Sequence, residues 1–211
     1  MVDFAHGRKV FSGTTTQERH ALLVEAVKLI NARMSFGVAV SCKLWEIEAH
    51  LPKFVRGFSH AYGVCSHLAM TTLGAHLDKI QDPESVVYIF EAGHPYEDSA
   101  RQFMKNAATC PATKQSYRHR GDSFLPKSDA VPLQAADLLA WEWAKCYAET
   151  VELPIREIRK SLRALFRYPK RIAVRHVTGA PLVKFLNQVG QLGLLQMAEQ
   201  DGEGPVTVMP V

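Results

Sequence analysis

The stretch VVYIFEAG, residues Val86–Gly93, decides the fold that the sequence predicts. Its first five residues are apolar and largely β-branched or aromatic, with no polar residue between them. A run of this kind is typical of a strand inside a sheet, covered on both faces. The strand is expected to end at an acidic residue, Glu91, two positions before a glycine, Gly93.

Helical patterns alternate with short β-prone runs on both sides of this strand. A capping-box pattern, Thr15 to Glu18, begins a first helix. Its inward face is predicted to carry Leu22, Ala26, Leu29 and Ile30. The other predicted elements are a strand at 36–42, helices at 44–49, 58–80 and 96–107, one or two short strands within 109–130, a helix from 131, a helix at 154–166, a strand at 171–177 and a helix at 181–197. This alternation predicts an α/β domain.

Composition fits a globular chain of one domain, or of a domain with a small appendage. Of the 211 residues, 47% are hydrophobic and 22% are charged, which is typical of folded rather than disordered proteins. We find no apolar run of membrane-spanning length and no signal-peptide pattern, so we expect a cytoplasmic protein without a membrane partner. The four cysteines form no CxxC pair and are expected to be reduced, mostly buried thiols.

An acidic residue, Asp137, interrupts the apolar helix VPLQAADLLAWEW, residues 131–143. A helical wheel predicts that this carboxylate faces the domain interior. The inward group on the wheel is Leu133, Asp137, Ala140, Trp141 and Ala144, and the outward group is Gln134, Glu142, Lys145 and Glu149. A carboxylate in an apolar setting requires a partner. Two interpretations stay open: a structural aspartate that a backbone amide or an arginine satisfies, or a metal-binding or catalytic carboxylate.

A second carboxylate is available at Glu91, at the carboxyl end of the predicted strand, where α/β domains gather their site residues. Magnesium sites use carboxylates from different elements, so Glu91 and Asp137 are the predicted ligands of Mg²⁺ or Mn²⁺ and the predicted catalytic pair. Two weaker candidates lie nearby in sequence. His94 would assist proton transfer or be a loop residue without a role, and Lys127 would neutralise a carboxylate or contact phosphate.

The segments VVYIFEAGH and SFLPKSDAVPLQAADLLAWEWAK, with MVDFAHG and FSG near the start, resemble the bacterial and phage family called domain of unknown function 3800. The resemblance covers residues 1 to about 147 and is most specific in PLQAADLLA and the lead-in Lys127-Ser128-Asp129. It implies a ribonuclease-H-like mixed sheet flanked by helices, with Glu91 and Asp137 where such enzymes hold divalent metal. Within the same motifs, Asp3, Asp129 and Gln134 are weaker site candidates.

One family feature has no counterpart in this sequence, the opening strand that ends in Asp-Glu-Ser-Gly or Asp-Asp-Ser-Gly. We therefore expect an N-terminally incomplete core at 1–150, a helix-strand-helix extension packed on it at 151–198 and a flexible tail at 199–211. A sheet without its first strand would leave an unpaired edge. Without the leading carboxylate, the chain as given should be a poor enzyme.

A basic helix is predicted within PIREIRKSLRALFRYPKR, residues 154–171, in a chain of net charge +4. Its cations are Arg156, Lys160, Arg163 and Arg167, with Lys170 and Arg171 just beyond. Such a face is typical either of phosphate contacts with nucleic acid or of a solvated helix surface. The functional expectation is therefore a divalent-metal-dependent nuclease or phosphodiesterase, and the alternative is a noncatalytic nucleic-acid- or protein-binding module that uses the helix at 155–167.

Overall fold

The computed structural model describes residues 11–50, 61–147, 158–167 and 171–187, and these residues form a mixed α/β structure. The elements are α1 (Thr16–Arg33), β1 (Gly37–Cys42), α2 (Leu44–His50), α3 (Ala61–Lys79), β2 (Val86–Glu91), α4 (Glu97–Thr109), α5 (Pro111–Ser116), β3 (His119–Leu125), α6 (Val131–Tyr147), α7 (Lys160–Leu165) and β4 (Ile172–Val177). Residues 179–187 are also helical. The predicted α/β class is confirmed.

The strands pair in two parallel sheets, β1 with β4 and β2 with β3. The amide of Gly37 donates to the carbonyl of Arg171 at 2.7 Å, and the amide of Val86 donates to the carbonyl of Arg118 at 2.7 Å. Parallel neighbours need a crossover connection, and α4 with α5 provides it between β2 and β3.

The contacts divide the chain into two compact units. Unit 1 comprises Met1–Ala39, Ile89–Glu91 and Phe124–Arg175, and unit 2 comprises Val40–Tyr88, Ala92–Ser123 and His176–Val211. The core cluster of unit 1 consists of Val27, Ala39, Leu138, Leu139 and Leu165, and that of unit 2 consists of Ile47, Val64, Leu68, Leu182 and Leu186. The domain boundary near residue 150 stays a prediction. Among the described residues, no helix combines the length and the apolar character required to cross a bilayer.

Helix α1 begins as predicted but buries a different face. The Thr15 hydroxyl accepts from the amide of Glu18 at 3.2 Å, and the Glu18 carboxylate accepts from the amide of Thr15 at 2.7 Å. Both interactions satisfy donors that the first turn leaves free. Leu22, Ala26 and Leu29 are exposed, whereas Ile30 packs against the core cluster of unit 1 beside the buried Val27, so the predicted inward face was wrong except at Ile30. Apolar residues occur on several sides of this helix, so their spacing alone did not determine which face is buried.

Strand β2 occurs where it was predicted but is not covered on both faces. Val87 and Ile89 are exposed, whereas Phe90 is buried and stacks on Phe124 with the ring centroids 5.0 Å apart. The run of apolar residues predicted an interior strand, and this was wrong. Alternating burial instead places one face of the strand against the protein and the other at the surface.

Two further elements differ from the sequence prediction. Helix α5 was not predicted; it begins at Pro111, which suits a first turn. At its end the carbonyl of Ser116 approaches Gly74 of α3 so closely that a Cβ there would lie 2.0 Å from the oxygen. Helix α7 begins only at Lys160, because Arg159 has an extended ψ of 142°. The single helix predicted from 154 is therefore wrong at 158–159, and its first residues lie outside the described ranges.

Candidate functional site

Helix α6 packs with a different face inward from the one that the wheel predicted. Its buried residues are Leu138, Leu139, Glu142 and Cys146. Asp137 has 44% of its side chain exposed, and Ala140 is exposed as well. The prediction that Asp137 faces the interior was wrong, since small and apolar residues occupy most of the circumference and leave several orientations open.

The structure nevertheless brings Asp137 and Glu91 together, through the ammonium group of Lys127. Lys127 Nζ lies 2.7 Å from Asp137 Oδ2 and 3.1 Å from Glu91 Oε2. Glu91 is the last residue of β2, Lys127 lies between β3 and α6, and Asp137 is in the second turn of α6. All three belong to unit 1, and we call them the carboxylate–lysine cluster.

The backbone around Lys127 is held by the turn that leads into α6. The amide of Asp129 donates to the carbonyl of Pro126 at 2.9 Å, and the Asp129 carboxylate accepts from the Ser128 hydroxyl at 2.8 Å. The side-chain amide of Gln134 donates to the carbonyl of Lys127 at 3.3 Å. The contacts of Asp129 and Gln134 thus support the turn that places Lys127.

The charges of the cluster favour a protonated lysine. The hydrogen bond to Asp137 and, after it, the hydrogen bond to Glu91 raise the pKa of Lys127 above its usual value of 10.5. With both carboxylates ionised, the cluster carries one negative charge in excess. All three side chains are partly exposed, so a second cation or a phosphate can reach them from solvent.

A second ion pair on the same helix was not found from the sequence. Glu142 is fully buried, and its Oε2 lies 3.4 Å from Nε of Arg159. Neither carboxylate oxygen accepts a hydrogen bond from the described residues. The Arg159 guanidinium also lies 4.4 Å from the centroid of the Trp141 ring, a cation–π contact. Placing Glu142 on the outer face was therefore wrong, and no spacing rule links it to a residue on another element.

A basic cleft of about 600 Å³ lies between α1 and α7, within unit 1. Its polar and charged lining includes His20, Lys28, Asn31, Arg159, Lys160, Ser161 and Arg167, and its apolar lining is Leu23, Val24, Val27 and Ala164. We call this feature the basic cleft. Its lining combines apolar side chains with several cationic ones, which suits an anionic ligand or strand.

The cations predicted to share one helix face are divided in the structure. Lys160 and Arg167 line the basic cleft. Arg163 donates to the carbonyl of Ile158 at 3.5 Å, and Arg171 donates to the carbonyl of Asn31 at 3.2 Å. Arg156 and Lys170 lie outside the described residues. A continuous basic face on one helix is therefore wrong, because α7 has only six residues.

Two weaker site candidates remain, Asp3 and His94. Asp3 lies outside the described residues. The ring of His94 stacks on Tyr62 with the centroids 5.0 Å apart, its Nδ1 accepts from the amide of Tyr96 at 3.1 Å, and it belongs to unit 2. Across the described ranges, no group of three or more histidine, cysteine or acidic side chains is arranged to hold a metal ion.

Comparisons of the chain with protein-family models, with curated proteins and with solved structures find no match.

Proposed function

We propose that the carboxylate–lysine cluster is the metal and phosphate site of a divalent-metal-dependent nuclease or phosphodiesterase on a ribonuclease-H-like fold, as the resemblance to domain of unknown function 3800 implies. One observation carries the proposal. Glu91 and Asp137 come from different elements, and both lie within hydrogen-bonding distance of one nitrogen, that of Lys127. One position therefore serves both carboxylates as a cation site.

The donor set fits Mg²⁺ or Mn²⁺, which prefer carboxylate oxygens and retain water and substrate oxygens as further ligands. When bound, the ion would neutralise charge on a phosphodiester and supply a nucleophile at neutral pH. Glu91 and Asp137 would hold the ion. Lys127, whose ammonium the ion would displace from between the two carboxylates, would donate to a phosphate oxygen and help to orient the scissile bond.

Metal binding by the full chain tests the carboxylates directly. In calorimetric titrations with MnCl₂, we expect Glu91→Gln and Asp137→Asn each to weaken binding by about tenfold or more. Glu84→Gln is the matched control, because Glu84 is an exposed carboxylate that precedes β2. Equal Mn²⁺ affinity in all four proteins would reject the metal site.

Substitution of Lys127 provides a second test, in which Mn²⁺ binding is expected to strengthen and not to weaken. If the ion takes the position of the ammonium, Lys127→Met removes a competitor and Mn²⁺ should bind more tightly, by about tenfold. The same substitution removes a phosphate donor, so Mn²⁺-dependent cleavage of an oligonucleotide should fall. Weaker Mn²⁺ binding in Lys127→Met would show that the lysine does not compete with the ion.

The basic cleft supports a second candidate function, noncatalytic binding of nucleic acid. Its cationic lining includes Lys160 and Arg167, and its apolar lining would contact the bases or sugars of a strand. Association with a fluorescent oligonucleotide should then weaken steeply with added salt, since phosphate contacts release counterions. We expect Lys160→Ala and Arg167→Ala to lower the affinity and the salt slope, whereas Lys105→Ala on the exposed side of α4 should not. Binding that is insensitive to salt would exclude this function.

A further inference from the structure

Two cysteines that are distant in sequence meet in unit 2. Cys42 is the last residue of β1, and Cys65 lies in α3, 23 positions later. Their sulfur atoms are 3.1 Å apart. Both thiols are partly buried, and Cys42 packs against the core cluster of this unit. This pair was not predicted from the sequence, because its spacing matches no dithiol motif.

We propose that Cys42 and Cys65 form a reversible redox pair, which closes to a disulfide on exchange with a small-molecule disulfide. The proposal stands on the proximity of the two sulfur atoms, which already lie in contact on adjacent elements. It is independent of the carboxylate–lysine cluster, which belongs to unit 1.

The surroundings assign different roles to the two sulfurs. The hydrogen bond between the two sulfur atoms lowers the pKa of Cys42 and raises the pKa of Cys65. Burial and, after it, the nearby Glu46 carboxylate oppose the lowering at Cys42. Since the thiolate is the attacking species in exchange reactions, Cys42 is the nucleophile and Cys65 is the resolving thiol.

The reaction balances in two steps. The Cys42 thiolate attacks one sulfur of the external disulfide, whose S–S bond breaks, and one external thiolate leaves and takes up a proton. Cys65 then loses its proton and attacks the Cys42 sulfur, and the second external thiol is released. The two protein thiols are oxidised by two electrons, and the external disulfide is reduced to two thiols.

Peptide mapping of the wild-type chain tests the pair without any substitution. The reduced full-length protein is freed of reductant, exposed to 2-hydroxyethyl disulfide, alkylated under denaturing conditions and digested without reduction. We expect one cross-linked peptide pair that contains Cys42 and Cys65, with Cys110 and Cys146 alkylated. Recovery of Cys42 and Cys65 in alkylated form, or cross-links distributed among all four cysteines, would overturn the proposal.

Serine variants test the assignment of Cys42 as the nucleophile and Cys65 as the resolving thiol. In Cys65→Ser, the mixed disulfide on Cys42 cannot be resolved, so one 2-hydroxyethylthio group should accumulate on the intact protein. In Cys42→Ser, reaction at position 65 should be at least about tenfold slower than that of Cys42. Cys110→Ser is the control and should close the pair at the wild-type rate. Rapid modification of Cys65 in Cys42→Ser would contradict the assigned nucleophile.

Discussion

Asp137 and Glu142 lie on the same helix, five residues apart, and their environments differ sharply. Asp137 is partly exposed and forms a 2.7 Å ion pair with a lysine that also contacts Glu91. Glu142 is fully buried, and its one described ion pair spans 3.4 Å without a hydrogen bond. All three side chains of the Asp137 pair and its Glu91 neighbour are partly exposed, whereas the Glu142 carboxylate is fully buried and only its Arg159 partner reaches solvent. The carboxylate proposed to bind a ligand and the carboxylate expected to be critical for stability are therefore different residues.

The largest expected effect on stability comes from removing Arg159, the partner of the buried Glu142 carboxylate. Arg159→Met should leave Glu142 as an uncompensated buried charge and lower the free energy of unfolding by about 3 kcal/mol. Urea denaturation of the variant and the wild type measures this loss. The double variant Arg159→Met/Glu142→Leu removes both charges and should recover most of the stability. If the single and double variants were equally unstable, the loss would come from packing on Trp141 and not from the unpaired charge.

A partly buried histidine in unit 2, His67, provides a comparison of stability at different pH values. Burial lowers the pKa of His67 to about 4 from 6.5, and its ring contacts Tyr117 and Phe185. The unfolded chain therefore takes up a proton at a higher pH than the folded one. Stability should fall as the pH drops from about 6.5 to about 4, by up to about 3 kcal/mol from this group. We expect the wild type to lose stability relative to His67→Gln across this window, in urea titrations at several pH values. A constant difference would show that His67 does not titrate differently in the two states.

These differences mark what the sequence could predict and what it could not. Periodicity and capping located α1 and α6, because helical hydrogen bonds join residues that are close in sequence. The apolar, β-prone run located β2. Which face of each of these elements is buried could not be predicted reliably. Helix α6 is apolar on several sides, so the wheel placed Asp137 inward and Glu142 outward, the reverse of the structure. The apolar run that predicted β2 likewise did not indicate that the face carrying Val87 is exposed.

Some contacts between residues distant in sequence could be predicted, and others could not. The meeting of Glu91 and Asp137 was anticipated, because the carboxyl end of a strand and the start of a following helix come together in α/β folds. Lys127 was named only as a residue that would neutralise a carboxylate or contact phosphate, and its position between both carboxylates is a tertiary result. The pairing of Glu142 with Arg159 and of Cys42 with Cys65 joins elements through packing that no local spacing encodes.

A smaller effect on the free energy of unfolding is expected at high pH from the carboxylate–lysine cluster. The hydrogen bonds to Asp137 and Glu91 raise the pKa of Lys127, so its contribution to stability is fully present below the usual lysine pKa of 10.5. The contribution is lost as the pH rises through the raised value. The difference in unfolding free energy between the wild type and Lys127→Met should therefore persist at neutral pH and shrink only in strongly alkaline solution. A difference that disappeared below pH 10 would contradict the raised pKa.

The smallest expected effect is that of Asp137→Asn on stability. The side chain is 44% exposed, and an ion pair of this exposure contributes about 1 kcal/mol or less, because solvent and salt screen it. Urea denaturation should show a loss within this range, and added salt should reduce it further. The same substitution is expected to weaken Mn²⁺ binding by about tenfold, so its effect on binding would exceed its effect on folding. A loss as large as that of Arg159→Met would instead make Asp137 a structural carboxylate, because a residue that serves only a ligand contributes little to the fold when the ligand is absent.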